Sequence, residues 1–131
     1  MLVLDRELRE HRDSSPSGLP RPVTNLSPEE ARDIARQLQS SGPKIVIIKL
    51  GAQGCLLMEG EVVTAIPAPP VEAVDTTAAG DVFNAALAVA CSEGASLLEA
   101  CRFATCAAAL SVTRLGAQRS MPSRAEVNGA L

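Results

Sequence analysis

Seven residues, Lys44 to Leu50 (KIVIIKL), constrain this chain more than any other segment. They are apolar and mostly β-branched but do not alternate with polar residues. A strand with one wet face alternates, whereas a strand covered on both faces, as in a parallel sheet flanked by helices, reads as a continuous apolar run. Just upstream, Ser27-Pro28-Glu29-Glu30 supplies an N-cap, a proline at the first helical position and a capping-box glutamate, with Ile34, Ala35 and Leu38 at helical spacing behind them. This predicts a helix over about 28–39, closed near Gly42. A helix followed by a doubly buried strand is half of a βαβ unit, and the class that follows is α/β.

Gly51-Ala52-Gln53-Gly54 breaks the strand. Cys55–Glu59 and Glu61–Ile66 then read as an antiparallel hairpin with its turn near Glu59-Gly60. Pro67, Pro69 and Pro70 force an extended connection, because each fixes its own φ and disfavours helix in the residue before it. Beyond Val74 the composition shifts to Thr, Ala and Gly, and three helices are predicted. One runs from about Gly80 to Ser92, one from Leu97 to Val112 behind the box of Ser96 and Glu99, and one starts at Ser123 with Glu126 as its box residue. The stretch from Asp13 to Pro22 is rich in Ser, Pro and Gly, so residues 1–24 read as a flexible leader and structure is expected only after it.

Composition removes several classes of function. The chain has 131 residues, 47% of them hydrophobic and 21% charged, which suits one modest folded domain. It contains no Trp or Tyr, and Phe83 and Phe103 are both expected in the core, so there is no aromatic platform for stacking bases or sugars. A net charge of -3 without a Lys/Arg cluster argues against nucleic acid as a partner. The apolar start is too short for a signal peptide, and the sequence has no apolar run long enough to span a membrane. Cys55, Cys91, Cys101 and Cys106 lack C-x-x-C spacing and sit among apolar or small residues, the pattern of reduced packing residues in a cytoplasmic protein. His11 stands in the leader without ligand-type neighbours and is expected to face solvent.

The segment that carries chemistry is Asp75-Thr76-Thr77-Ala78-Ala79-Gly80-Asp81. Small residues ahead of a helix let a ligand approach the backbone, and the first turn offers unbonded N–H groups and the positive end of the dipole to an anion. Asp81 falls beside that cradle, where a carboxylate can take a proton from an attacking hydroxyl during phosphoryl transfer. Read by themselves, Asp75 is equally an N-cap or turn residue and Asp81 an ordinary first-turn acid. Gly51-x-x-Gly54 is by itself only a turn, and Arg114 a charge near a helix C-terminus.

DTTAAGDVF (75–83) resembles, at all nine positions, the signature D-T-x-[GA]-A-G-D-x-F of the ribokinase-like carbohydrate kinase family. Leu50-Gly51-Ala52-Gln53-Gly54 is similar to that family's L-G-x-x-G, and Ser111–Ser120 to its S-V-T-R-x-G-A-Q-x-S, in the family's order and within a resemblance that runs from Asn25 to about Pro122. The resemblance implies a partial Rossmann-like fold, the C-terminal, nucleotide-binding portion of a doubly wound sheet with flanking helices and a hairpin, over residues 25–131. It implies Asp81 as the catalytic base that meets the substrate hydroxyl, and Ala78, Ala79 and Gly80 as the anion hole. It places Lys49, Leu50, Gly51, Ala52, Gln53, Gly54, Gly80, Asp81 and Thr105 against ATP. It also places Asp75, Thr77, Ser111, Arg114, Gly116 and Ser120 around a monovalent cation, usually potassium. The activity implied is transfer of the γ-phosphate of ATP, with Mg2+, to the terminal hydroxyl of a pentose such as ribose.

A complete member of the family is longer. The earlier portion, with its sugar-contacting residues and the N-x-x-E motif associated with magnesium, has no counterpart in this sequence. Two readings therefore stay open. The chain is a carbohydrate kinase lobe, either a fragment of an active enzyme or half of a split one that needs a second chain, or it is a non-catalytic remnant that binds nucleotide or a protein partner; a homo-oligomer is kept as a separate expectation. A dinucleotide-binding domain ranks below both, since no G-x-G-x-x-G follows a strand.

Overall fold

A computed structural model describes residues 1–5 and 27–131. It contains strands β1 (Leu2–Asp5), β2 (Ile45–Lys49), β3 (Cys55–Glu59) and β4 (Val62–Ile66), and helices α1 (Pro28–Ser40), α2 (Ala79–Ser92), α3 (Leu97–Ser111) and α4 (Arg124–Ala130). The chain divides into two compact units, one of residues 1–51 and 55–65 and one of residues 52–54 and 66–131.

The first unit is a four-stranded sheet in the order β1-β2-β3-β4 with α1 packed on it. β1 pairs with β2 in parallel, Leu2 opposite Val46 and Asp5 opposite Lys49, and β2 pairs with β3 antiparallel, Ile45 opposite Glu59 and Lys49 opposite Cys55. The expectation that structure begins only after the leader is corrected at Leu2–Asp5. This short segment, three apolar residues and Asp5, is long enough to satisfy one edge of β2 and supplies the strand that makes β1-α1-β2 a parallel crossover unit. The rest of the proposed leader, His11 included, and Asn25, where the resemblance begins, lie outside the described residues.

Side-chain alternation in β2 and β3 explains the uninterrupted apolar sequence. Val46 and Ile48, with Leu56 and Met58, form one core cluster with Ala31 and Ala35 of α1. Ile47 and Leu57 lie on the opposite face and are also almost fully buried. Both faces of the strand are therefore dry, as the sequence predicts. The two alanines allow α1 to approach the sheet closely. Ser27 caps α1 through a reciprocal box, with the Glu30 amide donating to the Ser27 hydroxyl and the Ser27 amide to the Glu30 carboxylate. At the other end, the Gln39 side-chain amide donates to the carbonyls of Lys44 (3.1 Å) and Gly60 (2.8 Å), tying the helix terminus to the start of β2 and to the hairpin turn.

The second unit is built on α2 and α3, with α4 against α3. Ala78, Val82, Cys106, Ala107 and Val127 form its main cluster, with Ala86, Phe103 and Leu110 packed around them. Burying a Val or Phe side chain contributes about 1.5–3 kcal/mol each. The alanine-rich faces of α2 and α3 let the backbones approach. Phe83 is buried as expected, while Phe103 is only partly so and carries the Arg124 guanidinium 5.0 Å from its ring centroid. All four cysteines are free thiols. Cys55, Cys101 and Cys106 are buried, and burial pushes the Cys106 thiol upward. No helix among the described residues is long and apolar enough to cross a membrane.

Candidate nucleotide and cation site

Strand pairing ends at Ile66, and the proline-rich connection delivers the chain to Val74, where the residue after α3 becomes its partner. The amides of Val74 and Asp75 both donate to the Val112 carbonyl, at 2.7 and 3.1 Å. The Asp75 carboxylate then folds the next residues into a turn. Its Oδ1 accepts from the Thr77 amide at 2.9 Å and from the Thr77 hydroxyl, and its Oδ2 accepts from the Gly116 amide at 3.0 Å. These hydrogen bonds, that of the Thr77 hydroxyl first, hold the Asp75 carboxyl at a pKa of about 2, below its ordinary 3.8, so the group is an anion. Gly116 has φ 90°, a left-handed conformation in which a side chain would be strained.

Directly after this turn α2 begins, and it begins unlike its neighbours. Helices α1, α3 and α4 are each capped by a serine with a glutamate three residues on, but α2 starts at Ala78 with no side-chain cap. The Ala79 amide is taken by the Thr76 carbonyl at 3.2 Å, and the first intrahelical bond runs from the Val82 amide to the Ala78 carbonyl at 2.9 Å. The amides of Gly80 and Asp81 fall in the part of the first turn that has no intrahelical acceptor. Ala78 is buried, Ala79 and Gly80 are partly exposed, and Asp81 is exposed. Small side chains, first-turn amides without an intrahelical acceptor and the positive end of the helix dipole are the features on which the expected anion hole of Ala78, Ala79 and Gly80 rests, with Asp81 in the same turn.

The structure brings Asp75, Thr77 and Gly116 together through hydrogen bonds. It does not bring in the side chains of the other expected cation residues. Ser111 and Ser120 are buried, and their hydroxyls donate to the carbonyls of Ala108 and Ala117, both at 2.8 Å. The Arg114 guanidinium pairs with Glu126 of α4. Asp75 is the one carboxylate among the residues expected around a monovalent cation, and it is ionised.

The expected nucleotide residues divide between the two units. Lys49, half-buried, ends β2 in the first unit, followed by buried Leu50 and exposed Gly51; Ala52, Gln53 and Gly54 belong to the second. Gly51–Gln53 form an exposed single turn of tight helix. Gly54 is buried, and a Cβ there would meet the chain itself, 2.0 Å from the Ile66 carbonyl oxygen and 2.7 Å from the Ala68 nitrogen. Close approach by its own backbone therefore explains this glycine. Thr105 lies buried in α3. Two contacts escaped sequence reasoning: the Val112 carbonyl as acceptor for the Val74 and Asp75 amides, although Val112 lies within the 111–120 motif, and the pairing of Arg114 with Glu126, whose spacing from Ser123 announced only a cap.

Comparison with known proteins interprets this arrangement. Residues 19–124 match the family model described as pfkB family carbohydrate kinase. The chain belongs to that family. Ribokinase of Bacillus subtilis is 51% identical over 89 residues, which are 68% of this chain and 30% of the relative. The structure of Arabidopsis thaliana ribokinase complexed with ribose and ATP superimposes with a TM-score of 0.74 at 40% identity, covering 79% of this chain and 34% of that one. Phosphofructokinase-2 from Escherichia coli in complex with potassium gives a TM-score of 0.75 at 25% identity, covering 98% of this chain and 39% of that one. The chain thus spans about a third of the length of these pfkB relatives, and its fold is a partial α/β ribokinase fold.

Proposed function

We propose that this chain is the nucleotide-binding and base-carrying portion of a ribokinase-like sugar kinase, which transfers the γ-phosphate of ATP to the terminal hydroxyl of a pentose such as D-ribose. The observation that carries this reading is the uncapped start of α2 with Asp81 exposed in its first turn, directly after the Asp75 turn. The amides at that start would stabilise charge on the transferring phosphoryl group. Asp81 would accept the proton of the sugar hydroxyl as the new P–O bond forms. Asp75, the Thr77 carbonyl and the 111–120 loop would hold a potassium ion beside the anion hole. Magnesium would arrive bound to ATP, and among the described residues no cluster of acidic, His or Cys side chains is arranged to hold a metal. The exposed Gly51–Gln53 turn and Lys49 would meet the nucleotide.

A proton acceptor accelerates transfer only when the hydroxyl is held within hydrogen-bond reach. The chain alone is therefore expected to release no ADP in response to ribose. Supplying the remaining portion of a ribokinase relative in trans should restore ribose-dependent turnover, and Asp81→Asn should lower it by about 10²–10⁴-fold while ATP still binds. Equal turnover by the Asn variant would remove Asp81 from the role. Ribose-dependent turnover by the chain alone would show that it carries its own sugar site. ATP binding with no turnover in trans would favour a non-catalytic, nucleotide-binding role.

A further inference from the structure

The loop that grips Asp75 is itself held from outside the site. Val112 accepts from the amides of Val74 and Asp75, and Gly116 donates to Asp75 Oδ2. Arg114 sits between those two anchor points, and its Nη2 donates to Glu126 Oε1. The other oxygen of the same carboxylate, Oε2, accepts from the Ser123 amide at 2.7 Å, and the Ser123 hydroxyl accepts from the Glu126 amide at 3.3 Å. One carboxylate therefore both caps α4 and fastens the loop. Val127, in the next position, is buried in the core cluster with Ala78 and Val82, so the helix that carries Glu126 is firmly seated. Leu115, next to Arg114, is 73% exposed and gives the loop little apolar anchorage. Beyond Arg114, the left-handed turn at Gly116 must be placed accurately if its amide is to reach Asp75.

We infer that Glu126 is a positioning residue of the proposed cation and phosphate site, acting through Arg114 on the loop whose Gly116 amide holds Asp75. The inference rests on the proposed function only for what the site binds; the link from Glu126 to Asp75 is a property of the ligand-free chain. An exposed ion pair contributes little to global stability. Its consequence is local order in the 111–116 loop.

Amide hydrogen exchange of the ligand-free 131-residue chain tests the link. In Glu126→Ala the Gly116 amide should exchange about two- to fivefold faster, the factor that corresponds to losing one solvent-screened ion pair, while amides in the middle of α3 keep their protection. Glu126→Gln, which keeps an acceptor but not the charge, should give a smaller increase. Arg114→Met should match Glu126→Ala and reads the same link should that variant fail to fold. Ser123→Ala weakens the cap of α4 but leaves Arg114 and Glu126 paired, and it should not change exchange at Gly116. The potassium concentration that half-supports ATP binding should rise severalfold in Glu126→Ala and stay put in Ser123→Ala.

Unchanged Gly116 exchange in Glu126→Ala and Arg114→Met overturns the inference, as does an equal change in Ser123→Ala, which would mean that seating α4 is all that matters. Exchange that moves as predicted in a chain that binds no ATP upholds the link and overturns the nucleotide reading instead.

Discussion

Asp75 accepts hydrogen bonds from three donors while remaining partly exposed, and its acidity follows from them. Its folded pKa of about 2 lies below the ordinary 3.8, so folding favours the ionised form. The stabilisation is fully present above about pH 4 and is lost as pH falls through about 2. The stability difference between wild type and Asp75→Asn, from urea unfolding at a series of pH values, should therefore be constant near neutrality and shrink in that acid window. A difference independent of pH would mean that the hydrogen bonds do not depend on the charge. Two glycines make a second test. At Gly54, with φ 93°, a Cβ collides with backbone, whereas at Gly51, with φ 60°, it meets open space. Gly54→Ala should cost about 2–4 kcal/mol and Gly51→Ala about 1 kcal/mol of left-handed strain, read from urea midpoints; equal costs would contradict the described loop. At this scale the local half of the Asp75 turn was legible, because Thr77, which donates to its carboxylate, stands two residues on. The second task of Glu126 was not legible, because its partner Arg114 is brought near only by the packing of α4.

Helix starts were the most legible elements. Ser27, Ser96 and Ser123 each cap a helix with a glutamate three residues on, and the spacing alone specifies the geometry. The start of α2, which lacks such a cap, is the exception. Strand β1 was not legible, because four residues carry no periodicity and its pairing with β2 is made across the length of the α1 crossover. The seating of α1 gives the prediction at this scale. Ala35 is fully buried in the cluster with Val46, Ile48 and Leu56, so Ala35→Leu should overpack it and cost about 1–3 kcal/mol, read from thermal or urea unfolding. A neutral substitution would mean that helix and sheet lie farther apart than described.

At the scale of the whole molecule, membership of the pfkB family and coverage of about a third of its relatives' length belong together. The residues proposed to meet nucleotide and cation fall between Lys49 at the end of β2 and Ser120 before α4, and the hydrogen bonds that hold Asp75 are made within the second unit. The central claim is that the start of α2 is a phosphate site. Calorimetric titration of ATP into the 131-residue chain, in potassium buffer with magnesium, tests it most directly. The predicted result is saturable binding that disappears in Gly80→Val, because a branched side chain in the first turn blocks the approach of phosphate to the backbone, while unfolding experiments show the variant still folded. Binding as tight in Gly80→Val as in wild type, or no binding by well-folded wild-type protein, would contradict the account.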